Sequence, residues 1–394
     1  MDEHLFRREY ARIVATLARI FGVHRLALAE DVAQDAIVRA LEVWKTRGVP
    51  VNPTAWLIAA AKHRAIDVIR KERTAERHAP ALAEAFTDEA VRDDQLRMMF
   101  TCCHPSLPDE VQVALVLHIL CGFGAPEIAG AFLASRAAIE KRLARGKHEL
   151  AAIDALFELA DAELPARLAS VQRALYLLFS EGYHGTSAIR TELCAEAIRL
   201  VALLCELPAA ATPATRALAA LMLLHAARLP ARVDAGGELN AFADQDRTRW
   251  DPRLVEEGLA QFERASTGSE LTAYHVEAAI AVVHASARSA DQTDWAAICE
   301  LYDRLMAIAP TPVVALNRAI AIGQRDGAAA GLAALHAIAG TERLEHYPFY
   351  PAALGELELA RGDHAAARAH FTAALGLARN EAERRFLEKR LAIA

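Results

Sequence analysis

Aromatic residues are scarce in this chain, only 6% of 394 positions, and no uninterrupted apolar run reaches the roughly 18 residues of a membrane-spanning helix. The opening "MDEHLFRREY" is charged and lacks the apolar core of a secretory signal, so a cytoplasmic location is expected. The six cysteines are Cys102, Cys103, Cys121, Cys194, Cys205 and Cys299, and no two of them form a CxxC pair. Adjacent thiols, as in "TCCH" (Thr101–His104), are a poor metal-ligand spacing. They argue against zinc and for reduced, mostly buried thiols. GxSxG, HExxH, P-loop and GxGxxG patterns are missing, so an enzyme reading has no support and no cofactor is called for.

A basic surplus is missing as well. The net charge is −7, and it is unevenly placed: residues 1–150 carry 21 Lys+Arg against 20 Asp+Glu, residues 151–394 carry 23 against 31. Such a chain does not bind nucleic acid through its whole surface. Two small basic helices with an acidic appendage fit it. Strand alternation between turn signals is also absent. Apolar residues instead recur at three and four among abundant alanines, which predicts an all-α protein.

Its length suits two or three domains. Residues 1–76 read as a helical bundle: a helix near Leu5–Phe21, a second over "EDVAQDAIVRALEVW" (Glu30–Trp44), and a third after Pro53. Asn52 is placed to cap that third helix, and Pro53 suits its first position. In the second helix Val32, Ala36, Ala40 and Trp44 form the side to be buried. Asp31, Gln34, Asp35 and Val38 fall at i, i+3, i+4 and i+7, one exposed stripe of acceptors edged by a valine. Residues 77–92 read as a linker, 93–152 as a second helical domain and 153–394 as a helical array. Near the C-terminus, Leu354, Gly355, Ala367, Phe371 and Ala374 take the small and large positions of a tetratricopeptide-type helix pair. Large residues at Leu335 and Tyr302 lie 36 and 33 positions further back in turn, near the repeat of about 34, and Pro310 follows Tyr302 by eight.

Within 126–150, "PEIAGAF" is a short helix opened by proline. Leu133 and Ala134 break it, and Ser135 caps a second helix. On that helix Ile139, Leu143, Gly146 and Leu150 share one face, while Lys141, Arg145 and His148 share the other, flanked by Arg136, Arg142 and Lys147. An apolar stripe that packs on the first helix and a basic stripe free for a major groove is helix-turn-helix arithmetic. The plainer reading is a bundle helix with a solvated basic face. "AKHRAIDVIRKER" (Ala61–Arg73) adds Lys62, His63, Arg64, Arg70 and Lys71, suited to phosphate contacts or merely to the helix dipole.

Taken in order, the acidic amphipathic helix, a Pro/Gly loop, "WL…AKHRAID…RKER", a linker and a helix-turn-helix resemble the extracytoplasmic-function group of the sigma-70 family of bacterial transcription initiation factors. The resemblance covers about residues 5–152. "LYLLFSEGY", "HAARLPAR", "DQDRTRWD" and "PVVALNRAIA" resemble the large tetratricopeptide-like C-terminal extension of one subgroup. The resemblance implies a region 2 bundle, a region 4 helix-turn-helix, and core RNA polymerase (β′ clamp helices and β subunit) and promoter DNA as partners. Asp31, Gln34, Asp35 and Val38 then match the polymerase-binding helix. Lys45–Thr54, with Asn52, matches the loop that captures a flipped −10 base. Lys62, His63, Arg64, Arg70 and Lys71 match the −10 helix, and Arg136, Lys141, Arg142, Arg145 and Lys147 the −35 helix. Family members commonly carry asparagine at the place of His63, and Glu140 puts an acid among the −35 contacts. Both bear on base preference. In the extension, Tyr183, His184, Asp244, Asp246, Arg249 and Trp250 are candidates for a pocket, against a bland role in caps and inter-helix bonds. The extension is expected to make intramolecular contacts with the sigma domains and to control them. A ligand-sensing helix-turn-helix regulator that never joins polymerase is the alternative.

Overall fold

The computed structural model describes residues 3–71, 88–131, 134–153, 164–184, 190–232, 239–240 and 242–394. The chain is all-α, with no strand among the described residues. It divides into two compact units, residues 1–182 with 195–210, and residues 183–194 with 211–394. The expected boundary at 152/153 therefore does not coincide with the division into compact units.

In the first unit, α1 (Glu3–Phe21), α2 (Leu26–Arg47) and α3 (Pro53–Lys71) pack on one another. Val32, Ala36, Ala40 and Trp44 are buried as their spacing predicts. Trp44 stacks on Phe6 at 5.4 Å and meets Trp56 edge-on at 5.5 Å. Glu9 is wholly buried and takes bonds from Arg12 and from Thr54 Oγ1 at 3.1 Å, which fixes the start of α3. Asn52 Oδ1 accepts from the Ala55 N–H at 3.0 Å, the expected cap.

Of the expected linker, the described part already belongs to α4 (Asp88–Cys102), so residues 88–92 are helix and not linker. The reason is local: "DEAVRDDQL" contains no breaker and puts acids in the first turn. Residues 72–87 lie outside the described part. There follow α5 (Asp109–Leu115), continued by a wider turn over Val116–Leu120, then α6 (Ala125–Ala131) and α7 (Arg136–Ala151). The α7 face Ile139, Leu143, Gly146 and Leu150 is buried against α5 and α6. Ser135 caps α7 by accepting from the Ala138 N–H at 3.2 Å, as expected. Leu133, read as part of the break, is outside the described residues. Helix α8 (Leu164–His184) and α9 (Thr191–Glu206) each belong partly to this unit. There Arg173 pairs with Asp109 at 3.2 Å, and Arg199 reaches Gln95 at 3.5 Å.

The second unit is an array in which successive helices pack in sequence: α10 (Pro213–Ala227), α11 (Pro252–Ala265), α12 (Ala273–Ser286), α13 (Trp295–Ile308), α14 (Pro312–Asp326), α15 (Ala328–His336), α16 (Phe349–Arg361), α17 (His364–Gly376) and α18 (Glu381–Ile393). Nearest-neighbour packing of this kind is the logic of a repeat solenoid. Leu335 and Phe371 are wholly buried, and a side chain at Gly355 would meet the Phe371 ring at 2.8 Å. The small and large positions read from the sequence do face each other.

Candidate polymerase and nucleic-acid interface

Asp31, Gln34, Asp35 and Val38 are all exposed, Val38 to 52%. A solvated helix face has no use for that valine beside three acceptors. Asp35 is tied to Arg64 of α3 by an ion pair of 2.7 Å, so the expected polymerase stripe and the expected −10 helix share an edge. His63, Arg64 and Arg70 are exposed, and Lys62 is half-buried. The Lys71 side chain lies outside the described part. Between the two helices, α2 stops at Gly48, whose φ of 79° and N–H bond to the Trp44 carbonyl end the helix. The loop then presents Val49 and Val51, 56% and 107% exposed. These apolar side chains stand in water beside the capping Asn52.

On α7, Lys141 and Arg145 lie on one exposed face, and Arg136 is exposed at the helix start. Arg136 pairs with Glu140, and Arg145 with Glu149, each at 2.7 Å across one helical turn. Such exposed pairs are worth well under ~1 kcal/mol and give way readily to phosphates. The unexpected acid Glu140 is thereby spent on Arg136. Arg142 is half-buried and pairs with Glu110 at 2.6 Å. Lys147 also departs from the outward face expected of it. It turns inward, with Nζ 2.6 Å from Glu30 Oε2 of α2 and 3.2 Å from His118 Nε2.

Glu30 was not among the candidate residues. It is buried to 7% exposure and lies on the stripe of Ala33, Ala40 and Trp44. Burial pushes its carboxyl up, but His118 and Lys147 outweigh that and hold its pKa below the ordinary value. His118 Nδ1 lies 2.8 Å from the Phe123 carbonyl. That oxygen only accepts, so Nδ1 donates to it, and Nε2 faces Glu30 Oε1 at 3.2 Å. Alongside, Arg7 pairs with Glu127 at 2.5 Å and lies 4.4 Å over the Phe123 ring. Gly122, at φ 69°, passes so close to Arg7 that a side chain there would meet its backbone at 3.1 Å. A cleft of about 290 Å³ remains, lined by Arg7, Tyr10, Gln34, His118 and Glu127 among others. The acceptor Gln34 thus borders the turn that leads into the helix-turn-helix.

In the second unit the expected pocket residues separate. Tyr183 and Trp250 are buried. Asp244, Asp246 and Arg249 are exposed, which corrects their assignment to a pocket. Asp246 spends its Oδ1 on the Thr248 N–H at 2.9 Å and on Thr248 Oγ1 at 2.6 Å, bonds that also hold its pKa down. The His184 side chain lies outside the described part. His275 is engaged locally, its Nδ1 taking part in the Thr272 cap. Missed from sequence were Arg228, Arg232 and Phe242, which join Arg247 of the polar run. Arg228 lies over Phe242 at 4.4 Å and Trp250 at 5.5 Å, Arg247 over the same rings at 5.5 and 5.2 Å, and Arg232 over Tyr183 at 4.0 Å. The cysteines are chemically quiet. Burial raises the thiol pKa of Cys102, Cys103 and Cys121, which keeps them protonated and unreactive.

Residues 5–75 match a family described as Sigma-70 region 2, and residues 97–150 one described as Sigma-70, region 4. Residues 167–266 match a family of unknown function (DUF6596). An uncharacterized protein of Rhizobium meliloti (strain 1021) is 38% identical over 394 residues, spanning 96% of this chain and 92% of that protein. No solved structure matches.

Proposed function

From the premise that this chain belongs to the sigma-70 family, as an extracytoplasmic-function-like sigma factor with a C-terminal extension, we propose that it is held closed between promoters and opens on joining polymerase. A sigma factor binds core RNA polymerase and promoter DNA and needs no catalytic group; what it needs is a trap for an unstacked base and phosphate contacts to position it. Here Asp31, Gln34, Asp35 and Val38 dock on the β′ clamp helices. Val49, Val51 and Asn52 receive the −10 base, with Lys62, His63, Arg64, Arg70 and Lys71 along the backbone. Arg136, Lys141, Arg142, Arg145 and Lys147 read the −35 element.

The observation that carries the closed form is the Glu30–Lys147 pair, 2.6 Å between the polymerase-docking helix and the −35 helix. The two promoter elements lie about 25 base pairs apart by their names, roughly 85 Å at ~3.4 Å per base pair. One pair of readers cannot keep that bond and span that distance. The extension reaches the region 4 part through Arg173–Asp109 and Arg199–Gln95, and this contact is the route by which it would act as a built-in control on the sigma domains.

Core binding tests the docking stripe directly. Asp31→Arg with Asp35→Arg reverses two exposed charges and leaves the buried side of α2 untouched. The double variant is expected to keep its helical circular dichroism and lose pull-down of core polymerase. Retained pull-down would remove the assignment.

A further inference from the structure

Among the described residues of the second unit, buried positive charge is left uncompensated beside Trp250. Arg228 is bonded to a neutral acceptor, Gln245 Oε1, through Nε and Nη2 at 3.3 Å each. Arg232 presents its guanidinium to the Tyr183 ring and, among the described residues, has no carboxylate partner. Arg247 is satisfied: it donates to the carbonyls of His284 and Ala287 at 2.6 Å and to Thr293 Oγ1 at 3.1 Å, and Asp291 lies near enough to favour its charge. The cations act on one another. Burial and the neighbouring Arg232 and Arg247 lower the Arg228 pKa, and no carboxylate is among the groups that support its charge. A cation taken out of water without a counter-charge is costly. A second, independent feature sits in the same cluster. Trp250 is 8% exposed, and its indole Nε1 is buried without a hydrogen-bond partner among the described residues.

We infer that Arg228, Arg232 and Trp250 form a receptor for the dianionic phosphate group of a small molecule. The two uncompensated guanidinium charges match a dianion better than a single carboxylate. Guanidinium forks and an indole N–H are all donors, and a phosphate offers only acceptor oxygens. The aromatic faces are already covered by arginines, so recognition rests on the phosphate and not on stacking. Arg247 is a positioning residue that holds the Phe242–Trp250 segment in place through the carbonyls beside α12. The site lies within the stretch matched by the family of unknown function, and the inference does not rest on the promoter-binding reading.

The test uses the full-length chain with inorganic pyrophosphate as probe, ionic strength held constant with chloride and citrate as the carboxylate comparison. Calorimetric titration and thermal unfolding are read together. Pyrophosphate is expected to bind and raise Tm, and citrate to do so much less. Trp250→Phe keeps the ring and removes the donor, and Arg232→Gln removes one charge. Each is expected to weaken pyrophosphate at least about tenfold, the worth of one charge-assisted bond. Arg249→Gln, at an exposed arginine outside the cluster, is expected to bind like the parent. No binding by the parent, equal binding of citrate, or undiminished binding by Trp250→Phe overturns the assignment.

Discussion

Two buried titratable side chains give the protein opposite responses to pH. Asp94 is 1% exposed and pairs with Arg19 at 2.6 Å, yet burial outweighs that pair and raises its pKa to about 6. An acid with a raised folded pKa stabilises below its unfolded value and loses that contribution as pH rises. The first unit should therefore lose stability between about pH 4 and pH 6, on the order of 2–3 kcal/mol from this group. Asp94→Asn should flatten that part of the urea-unfolding profile, since Arg19 is 35% exposed and can turn to water. His284 behaves in the other sense. Burial, with Arg228 and Arg247 nearby, lowers its pKa to about 3. The unfolded chain takes up a proton near pH 6.5 and the folded unit does not, so stability falls as pH drops below 6.5. NMR of the imidazole should show no titration between pH 7.5 and 5. His284→Phe, which keeps the ring packing against Phe242 and Trp295, should remove the acid slope.

At the scale of the helix, glycine tests whether close packing or helix propensity decides. A Cβ on Gly146 would lie 2.6 Å from Val111 Cγ1 and 2.9 Å from Leu115 Cδ1, both on buried residues of α5. Gly146→Ala gains about 1 kcal/mol of helix propensity but overpacks at a typical cost of 1–3 kcal/mol. The expected outcome is a net loss of about 1 kcal/mol in chemical denaturation and weaker docking of the −35 helix. Gly355→Ala against the wholly buried Phe371 ring should lose at least as much, because a ring cannot fold aside. These elements were legible in the sequence because their determinants are local. The 3.6-residue period marks the buried faces of α2 and α7, and Asn52 and Ser135 cap within three residues of themselves. What was not legible depends on docking. Glu30 and Lys147 are 117 positions apart, and only the oddity of a glutamate on the Ala33–Ala40–Trp44 stripe hinted at a partner. The aromatic and basic segment at 242–250 was noticed, but which side chains turn inward is set by bonds to α12, a helix some forty residues away.

For the molecule as a sigma factor, the proposed closed form turns on one short bond between two readers that must part on the promoter. Glu30 meets Lys147 across a buried edge where salt screens little, and its depressed pKa means that the closed form loses this support only as pH falls below the ordinary carboxylate range. At neutral pH the pair is fully formed. Opening must then be driven by differential binding: polymerase and promoter favour the open form because only there do both readers engage. Removing the pair should shift the balance in advance. Glu30→Gln keeps the shape of the buried side chain, removes its charge and lets Lys147 turn to water. A coupling of about 1–3 kcal/mol corresponds to a roughly 5- to 150-fold rise in the open fraction, and apparent affinity for core polymerase should rise in step. The motion itself can be followed with dyes on Ala59→Cys in α3 and Ala144→Cys in α7, both exposed and both within the first unit. Energy transfer should be high in the free protein, fall when core polymerase and promoter DNA are added, and be lower from the start in Glu30→Gln. Transfer that stays high in the transcribing complex would mean that α2 and α7 remain together on the promoter, and the closed form would then be the working form and not a resting one.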